Sequence, residues 1–280
     1  MQSYLAFKNT KKGLQDVANI VKVIEKVAAF DMRNLKQKLD ILDAYTMNLS
    51  LMLGRLISFY TPSESIFFKK NKSNYKVALF VTSDKSLVGD LWHKMFLFLS
   101  EQNKFVNYNR IFVLGNKGVL FDSNKNLFFD FSLNNFLEVD DMDGLLNFLL
   151  KSFINKSFGQ VDIFYSHFIS VSKQIPKKVT FLPFGFDFSE LNKADNLGWP
   201  IFENRKNDIF NVLMEKYIKS FFYQIFLNSR LSEYSARTLT AERANFQTKI
   251  ILQDMVREYQ KNRKKSITEK QLEVFLSYKK

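Results

Sequence analysis

The sequence predicts an α/β fold: a long antiparallel coiled coil of the N- and C-terminal helices with an inserted Rossmann-like α/β domain. Three observations predict it. Breakers are scarce, with Gly 9 and Pro 4 in 280 residues, so the elements should be long. Apolar residues recur at three- and four-residue steps through both ends of the chain, the period of a helix packed along another helix. The middle of the chain alternates short apolar runs with amphipathic ones, the texture of strands and crossover helices.

Residues 1–60 form the first zone. From Lys12 to Phe59 there is no proline, and glycine stands only at Gly13 and Gly54. The stripe reads Val17, Val21, Ile24, Ala28, Met32, Leu35, Leu39, Leu42, Leu49, Leu53, Leu56. At about 1.5 Å per residue this helix would reach roughly 70 Å, more than a globular core covers, so it needs a long partner. Residues 208–280 supply one. They contain neither proline nor glycine, and Phe210, Leu213, Tyr217, Phe221, Ile225, Leu239, Phe246, Ile250, Val256 and Tyr259 mark a second stripe. It would run to roughly 100 Å and project beyond the first helix. The stripe weakens over Asn228–Ser235 (NSRLSEYS), which should therefore be loosely packed or face another subunit.

Residues 61–207 form the inserted domain. Thr61–Pro62 ends the first helix. Lys76–Thr82 (KVALFVT) reads as a buried strand, Ser83–Asp90 as a turn and Leu91–Ser100 as a helix. Arg110–Leu114 reads as a strand ended by Gly115–Gly118, and Asn126–Phe131 as a third strand. Asp141–Asn155 reads as an amphipathic helix, and Val161–Tyr165 and Lys178–Phe181 as further strands. There is no internal repeat.

Composition excludes several chemistries. Cys is 0 and His 2, so there is no thiolate nucleophile or disulfide, and His93 and His167 lack companions for a zinc site. No cofactor is expected. No G-x-x-x-x-G-K-[ST] or G-x-G-x-x-G occurs, and Gly115-Asn116-Lys117-Gly118 reads as a turn. Ser170-Val171-Ser172-Lys173 matches a bare S-x-x-K without the companion motifs. Asp140-Asp141-Met142-Asp143 reads as acids at a helix N-terminus rather than a cation site. No nucleophile–base–oxyanion set assembles, so the chain is not expected to be an enzyme. The start, MQSYLAFKNTKKGLQ, lacks a long apolar core and a cleavage site. The most apolar runs fall far short of the roughly 20 residues of a spanning helix, and the chain reads as cytoplasmic.

Lys+Arg 41 against Asp+Glu 28 gives a net charge of +13. Abundant Lys, Asn and Phe also fit an AT-rich genome, so part of the excess can be compositional. The densest patch, Arg257–Lys265 (REYQKNRKK), forms a positive collar on a helix. It suits an acidic protein loop, or nucleic acid with Tyr259 as a stacking group. A solvated helix end is the third reading.

Five segments in register then resemble the gamma subunit of F-type ATP synthases, the central rotor shaft. Lys22–Arg33 (KVIEKVAAFDMR) resembles K-A-M-E-M-V-A-A-S-K-M-R, and Val81–Gly89 (VTSDKSLVG) resembles T-S-D-R-G-L-C-G-G. Leu114–Phe121 (LGNKGVLF) is similar to I-G-x-K-G, Ser232–Arg237 (SEYSAR) to S-E-x-x-A-R, and Tyr259–Thr268 (YQKNRKKSIT) to Y-N-x-x-R-Q-x-x-I-T. Departures occur at Ile24 and Lys26 for methionines, at Ser86, Val88 and Asp90 in the glycine-rich turn, and at Lys264 for glutamine.

The resemblance implies a non-catalytic shaft standing in a hexamer of alpha/beta-type nucleotide-binding subunits and coupling ATP hydrolysis or synthesis to rotation. It implies that Arg263 and Lys264 meet a catch loop of a catalytic subunit. Arg237, Thr268, Glu273 and Ile24 would lie where the helices influence coupling, and Val274, Phe275 and Leu276 at an apolar bearing. The α/β domain would bind a small epsilon-like rotor subunit and, in the standard enzyme, a membrane ring at the inner face of the cell membrane. The altered Ser83–Asp90 turn and the aromatic run Phe181–Phe188 (FLPFGFDF) suggest a non-standard foot partner instead, as in a dedicated ATP-hydrolysing motor of a small AT-rich bacterium. On this reading nucleic acid is not a partner. The alternative is a basic coiled-coil nucleic-acid-binding protein.

Overall fold

In the computed structural model, residues 2–59, 72–82, 86–100, 108–118, 131–133, 139–185 and 205–278 are described. Helix α1 spans Gln2–Phe59, a length of 58 residues, and the last helix spans Lys206–Ser277, 72 residues. Between them lie β1 (Lys76–Val81), α2 (Leu91–Ser100), β2 (Arg110–Leu114), β3 (Phe131–Leu133), α3 (Val139–Ile154), β4 (Gln160–Ser170) and β5 (Lys173–Leu182); the last helix is α4. The predicted α/β class with two long terminal helices is what forms. Residues 60–71, 83–85, 126–130 and 186–188, on which the Thr61–Pro62 stop and parts of the turn, third-strand and aromatic-run expectations fall, lie outside the described residues.

The sheet order is β3-β2-β1-β4-β5, parallel except for β5, which returns antiparallel to β4. β4 and β5 run well past the predicted Val161–Tyr165 and Lys178–Phe181, because each can pair along a continuous hairpin. Side chains alternate between the two faces, as a pleat requires. Val77, Leu79 and Val81 enter a core with Leu146, Leu149, Phe153, Phe222 and Phe226. Ala78 and Phe80 enter a second core with Trp92, Met95 and Leu99 of α2. Phe181 and Phe184 are both buried in the first core. They therefore offer no exposed surface for a foot partner.

Compactness divides the chain into two units, Asp31–Ala236 on one hand and Met1–Phe30 with Arg237–Lys280 on the other. In the first unit, α1 buries Leu39, Thr46, Leu49, Leu53 and Leu56 at alternating steps, the seam of a coiled coil. Gln224 donates to the Asp43 carboxylate at 2.7 Å, while Leu53 and Leu56 join Phe210 and Met214. α4 thus descends as α1 ascends.

The doubly wound order places a topological switch between β1 and β4, where such sheets commonly bind ligands outside the strand ends. Beside that place the ends of β1 and β2 are tied together within the chain. Thr82 Oγ1 donates to the Leu114 carbonyl at 2.6 Å and accepts the Gly118 N–H at 3.1 Å. A Cβ at Gly118 would lie 2.2 Å from Val113 Cγ1. Where β4 runs past the end of β1, Ser232 Oγ of α4 donates to the Ser166 carbonyl at 2.9 Å. Ser229, Leu231, Ser232, Glu233 and Ser235 are all buried. This corrects the expectation that Asn228–Ser235 is loose: small hydroxyl side chains let the helix approach the sheet closely, and the missing bulk is the fit. Ser235 Oγ bonds back to the Leu231 carbonyl at 2.7 Å, a helical pattern that satisfies the hydroxyl locally.

One buried charge stands on the α2 face. Asp162 pairs with Lys178 Nζ at 2.8 Å and accepts from Tyr108 and from Gln160 at 2.9 Å. Burial alone would raise its pKa, but the Lys178, Tyr108, Gln160 and Thr180 contacts outweigh it and hold the carboxyl below its usual range. Burial and the same carboxylate push the Tyr108 hydroxyl well above its ordinary value.

Candidate partner-binding shaft

All nine residues singled out for partner contact fall in the unit of Met1–Phe30 with Arg237–Lys280. Here α4 carries a regular seam of Ala241, Asn245, Thr248, Leu252, Met255 and Tyr259, buried or half-buried at steps of four and three. On α1 the matching half-buried or buried positions are Leu14, Ala18, Val21, Glu25 and Ala28. Asn245 donates to the Glu25 carboxylate at 3.1 Å. Around Ala241, Asn245 and Thr248 the seam is thus made of small and polar residues with a hydrogen bond inside it, and Leu252, Met255 and Tyr259 continue it.

This corrects the sequence stripe. Val17, Phe246 and Ile250 were expected in the seam, yet all three are exposed, Phe246 by 66%. Alanine and threonine permit close helix approach, so the seam takes Ala241 and Thr248 there and leaves Phe246 and Ile250 facing outward. α1 shows the same choice. Ile20, Val23, Val27 and Phe30 are each 54–62% exposed and share an arc of about 80° at 100° per residue. Sequence reasoning missed this line. Its own three-four-three spacing, two positions on from the inner seam of Ala18, Val21, Glu25 and Ala28, was the available signal.

Ile24 is half-buried beside that seam, and Arg237 is buried. The remaining seven stand in solvent. From Lys261 through Tyr278 every residue is exposed. Val274, Phe275 and Leu276 are 56%, 77% and 68% exposed, far more apolar surface than a helix end normally leaves wet. Thr268 donates to the Lys264 carbonyl at 3.0 Å, a local bond.

The cations have little to neutralise them. Arg257 pairs with Asp254 at 3.3 Å and Lys265 reaches Glu269 at 4.0 Å, both exposed pairs of small energy. Among the described residues Lys261, Arg263 and Lys264 have no ion pair. Helical geometry gathers Arg257, Lys261, Lys264 and Lys265 in an arc of about 100° and sets Arg263 on the far side. The expected collar is therefore a stripe with one opposed cation. No group of three or more potential metal ligands occurs among the described residues.

Known proteins match nearly the whole of this chain. A family model described as ATP synthase matches residues 5–277. The chain belongs to the ATP synthase family. It is similar to the ATP synthase gamma chain of Clostridium novyi (strain NT), 26% identical over 277 residues, covering 96% of this chain and 95% of the relative. The ATP synthase gamma chain of Polynucleobacter asymbioticus is 24% identical over 284 residues and covers 98% of both. Within the family the chain is thus of the gamma type, as its five motifs imply.

Solved structures agree on the fold. The rotor of the Euglena gracilis mitochondrial ATP synthase gives a TM-score of 0.62 at 16% identity, covering 95% of this chain and 99% of that one. The central stalk and c-ring of the Tetrahymena thermophila mitochondrial ATP synthase gives 0.54 at 20% identity, covering 80% and 99%. The nucleic-acid alternative gains no support from these relatives. No helix among the described residues is long and apolar enough to cross a membrane.

Proposed function

We propose that this gamma-type chain is the non-catalytic rotor shaft of an ATP synthase-like motor, turning within a hexamer of alpha/beta-type nucleotide-binding subunits. The observation that carries this reading is the end of α4. Eighteen consecutive residues, Lys261–Tyr278, are exposed and combine cations, of which Lys261, Arg263 and Lys264 have no ion pair among the described residues, with the apolar Val274, Phe275 and Leu276. A monomer gains nothing from such a helix end, whereas a surrounding sleeve would bury it.

On this reading Arg263 and Lys264 meet an acidic loop of a catalytic subunit, and Val274–Leu276 turn in an apolar bearing. Arg237, Ile24, Thr268 and Glu273 set how the two helices transmit twist. Residues 61–207 form the foot, which takes a small epsilon-like subunit and a membrane ring, or a non-standard partner in their place. The chain then works peripherally on the inner face of the cell membrane. Coupling needs no chemistry from the shaft.

Co-expression with its cognate hexamer subunits tests this. The expected result is a complex holding one copy of the chain per hexamer, with no ATP hydrolysis by the purified chain alone. Robust hydrolysis by the lone chain, or failure to enter the complex, would overturn it.

A further inference from the structure

The β4–β5 hairpin carries a feature that lies wholly within Asp31–Ala236 and is independent of the shaft reading. β1 pairs with β4 only as far as Phe164, whereas β4 and β5 stay paired out to Ser170 and Lys173. The outer hairpin therefore projects past the parallel sheet, and Ser232 of α4 ties it at the Ser166 carbonyl. A cleft of about 360 Å³ is lined by this part of the hairpin together with α1 and α4.

His167 lines the cleft, and its ring meets Tyr165 edge-on at 6.0 Å. Its Nδ1 is buried and has no hydrogen-bond partner among the described residues. The neutral ring with its hydrogen on Nε2 leaves only a lone pair there. The charged ring donates from both nitrogens and would bury an N–H without an acceptor.

The surrounding charges do not compensate. From β5 comes Lys177, which has no ion pair among the described residues. From α1 come Lys36, paired with Asp40 at 3.0 Å, and Asp43, which already accepts from Gln224 at 2.7 Å. α4 adds the uncharged Gln224 and Asn228, and β4 adds the Tyr165 hydroxyl, which burial pushes up to about 12. Burial and the Lys177 charge accordingly hold the His167 imidazole below its ordinary value.

We propose that the projecting hairpin is a pH-operated flap, docked on α1 and α4 while His167 is neutral and released when His167 takes a proton. In the released hairpin the imidazole is solvated and titrates near its ordinary value of about 6.5. The released form thus binds more protons than the docked form, so docking is complete above that pH and weakens as pH falls through it. Release costs the Ser232–Ser166 bond and leaves the pairing of β4 with β5 intact.

The chain has no cysteine of its own, so Ser172→Cys at the hairpin tip and Gln37→Cys on α1 place two spin labels without background. Both positions are exposed. Distances between the labels in the full chain are measured by pulsed electron resonance from about pH 8 to about pH 5. A single short distance should give way reversibly to a longer one, with the released fraction rising about ten-fold or more. His167→Phe, which cannot take a proton, should stay docked at every pH. Lys177→Glu, an exposed change that supplies a counter-charge, should hold the flap docked to lower pH. An unchanged distance across the range, or the same opening in His167→Phe, would overturn the proposal. Loss of helical circular dichroism over the same pH range would assign the change to unfolding and overturn it as well.

Discussion

The two ends of α4 are one helix with opposite fates. Over Phe210–Ala236 it buries Phe210, Met214, Ile218, Phe222, Ile225 and Phe226 in the sheet core and fits its serines against the strand ends. Over Lys261–Tyr278 it buries nothing, although Phe275 and Leu276 are as apolar as anything upstream. Hydrophobicity alone does not decide burial. What decides it is whether a surface is supplied, and on the proposed reading the second stretch takes its surface from another protein.

Mutations should separate the two stretches sharply. Phe222→Ala, at a site with no exposure, should cost about 3–5 kcal/mol and lower the thermal midpoint more than any substitution beyond Lys261. Ser232→Leu should cost about 1–3 kcal/mol by overpacking, because Ser232 is fully buried where α4 meets β4. Denaturant titration measures both, and a neutral Ser232→Leu would mean the strand-end contact is loose.

Asp162→Asn should cost about 2 kcal/mol at neutral pH, since it leaves Lys178 unpaired over the Tyr108 and Phe164 rings. The carboxyl is held below its ordinary pKa, so its stabilisation is complete above the unfolded value near 4. It fades as pH falls through the lower folded value. Acid titration of stability should therefore lose part of its slope below about pH 4 in the variant.

Phe275→Ser with Leu276→Ser should move the stability of the lone chain by no more than about 0.5 kcal/mol. In co-expression the same pair should weaken hexamer binding about ten-fold or more. Arg263→Ala with Lys264→Ala should have the smallest effect on stability, none measurable for two exposed cations. It should lower the rotation rate under load and flatten the salt dependence of assembly. Unchanged rotation under load would assign the push to packing rather than charge.

The fold was legible because its signals are local and repeated. Proline-free, glycine-poor ends gave both long helices, and the strand run RIFVL coincides with β2. Which face of each helix turns inward was less legible. The largest side chains suggested Phe246 and Ile250 for the seam, whereas the seam uses Ala241, Asn245 and Thr248. Size and hydrophobicity do not reveal how closely two backbones approach, and small residues read as weak signal where they mark the tightest contact. Asn228–Ser235 was misjudged for the same reason. Among the residues expected to meet partners, Arg263 and Lys264 were legible as part of a basic run, whereas Thr268, Glu273 and Val274–Leu276 came from the family resemblance alone. The outward line of Ile20, Val23, Val27 and Phe30 needed coordinates, because it lies two residues on from an equally regular inner line.

Hydrogen–deuterium exchange over Lys261–Tyr278 tests the central claim most directly, compared between the free chain and its complex with co-expressed nucleotide-binding subunits. Fast exchange in the free chain and strong protection in the complex is the predicted result, with Phe210–Ala236 protected in both. Equal exchange of Lys261–Tyr278 in the free and bound chain would contradict the account, since the exposed helix end would then have no sleeve around it.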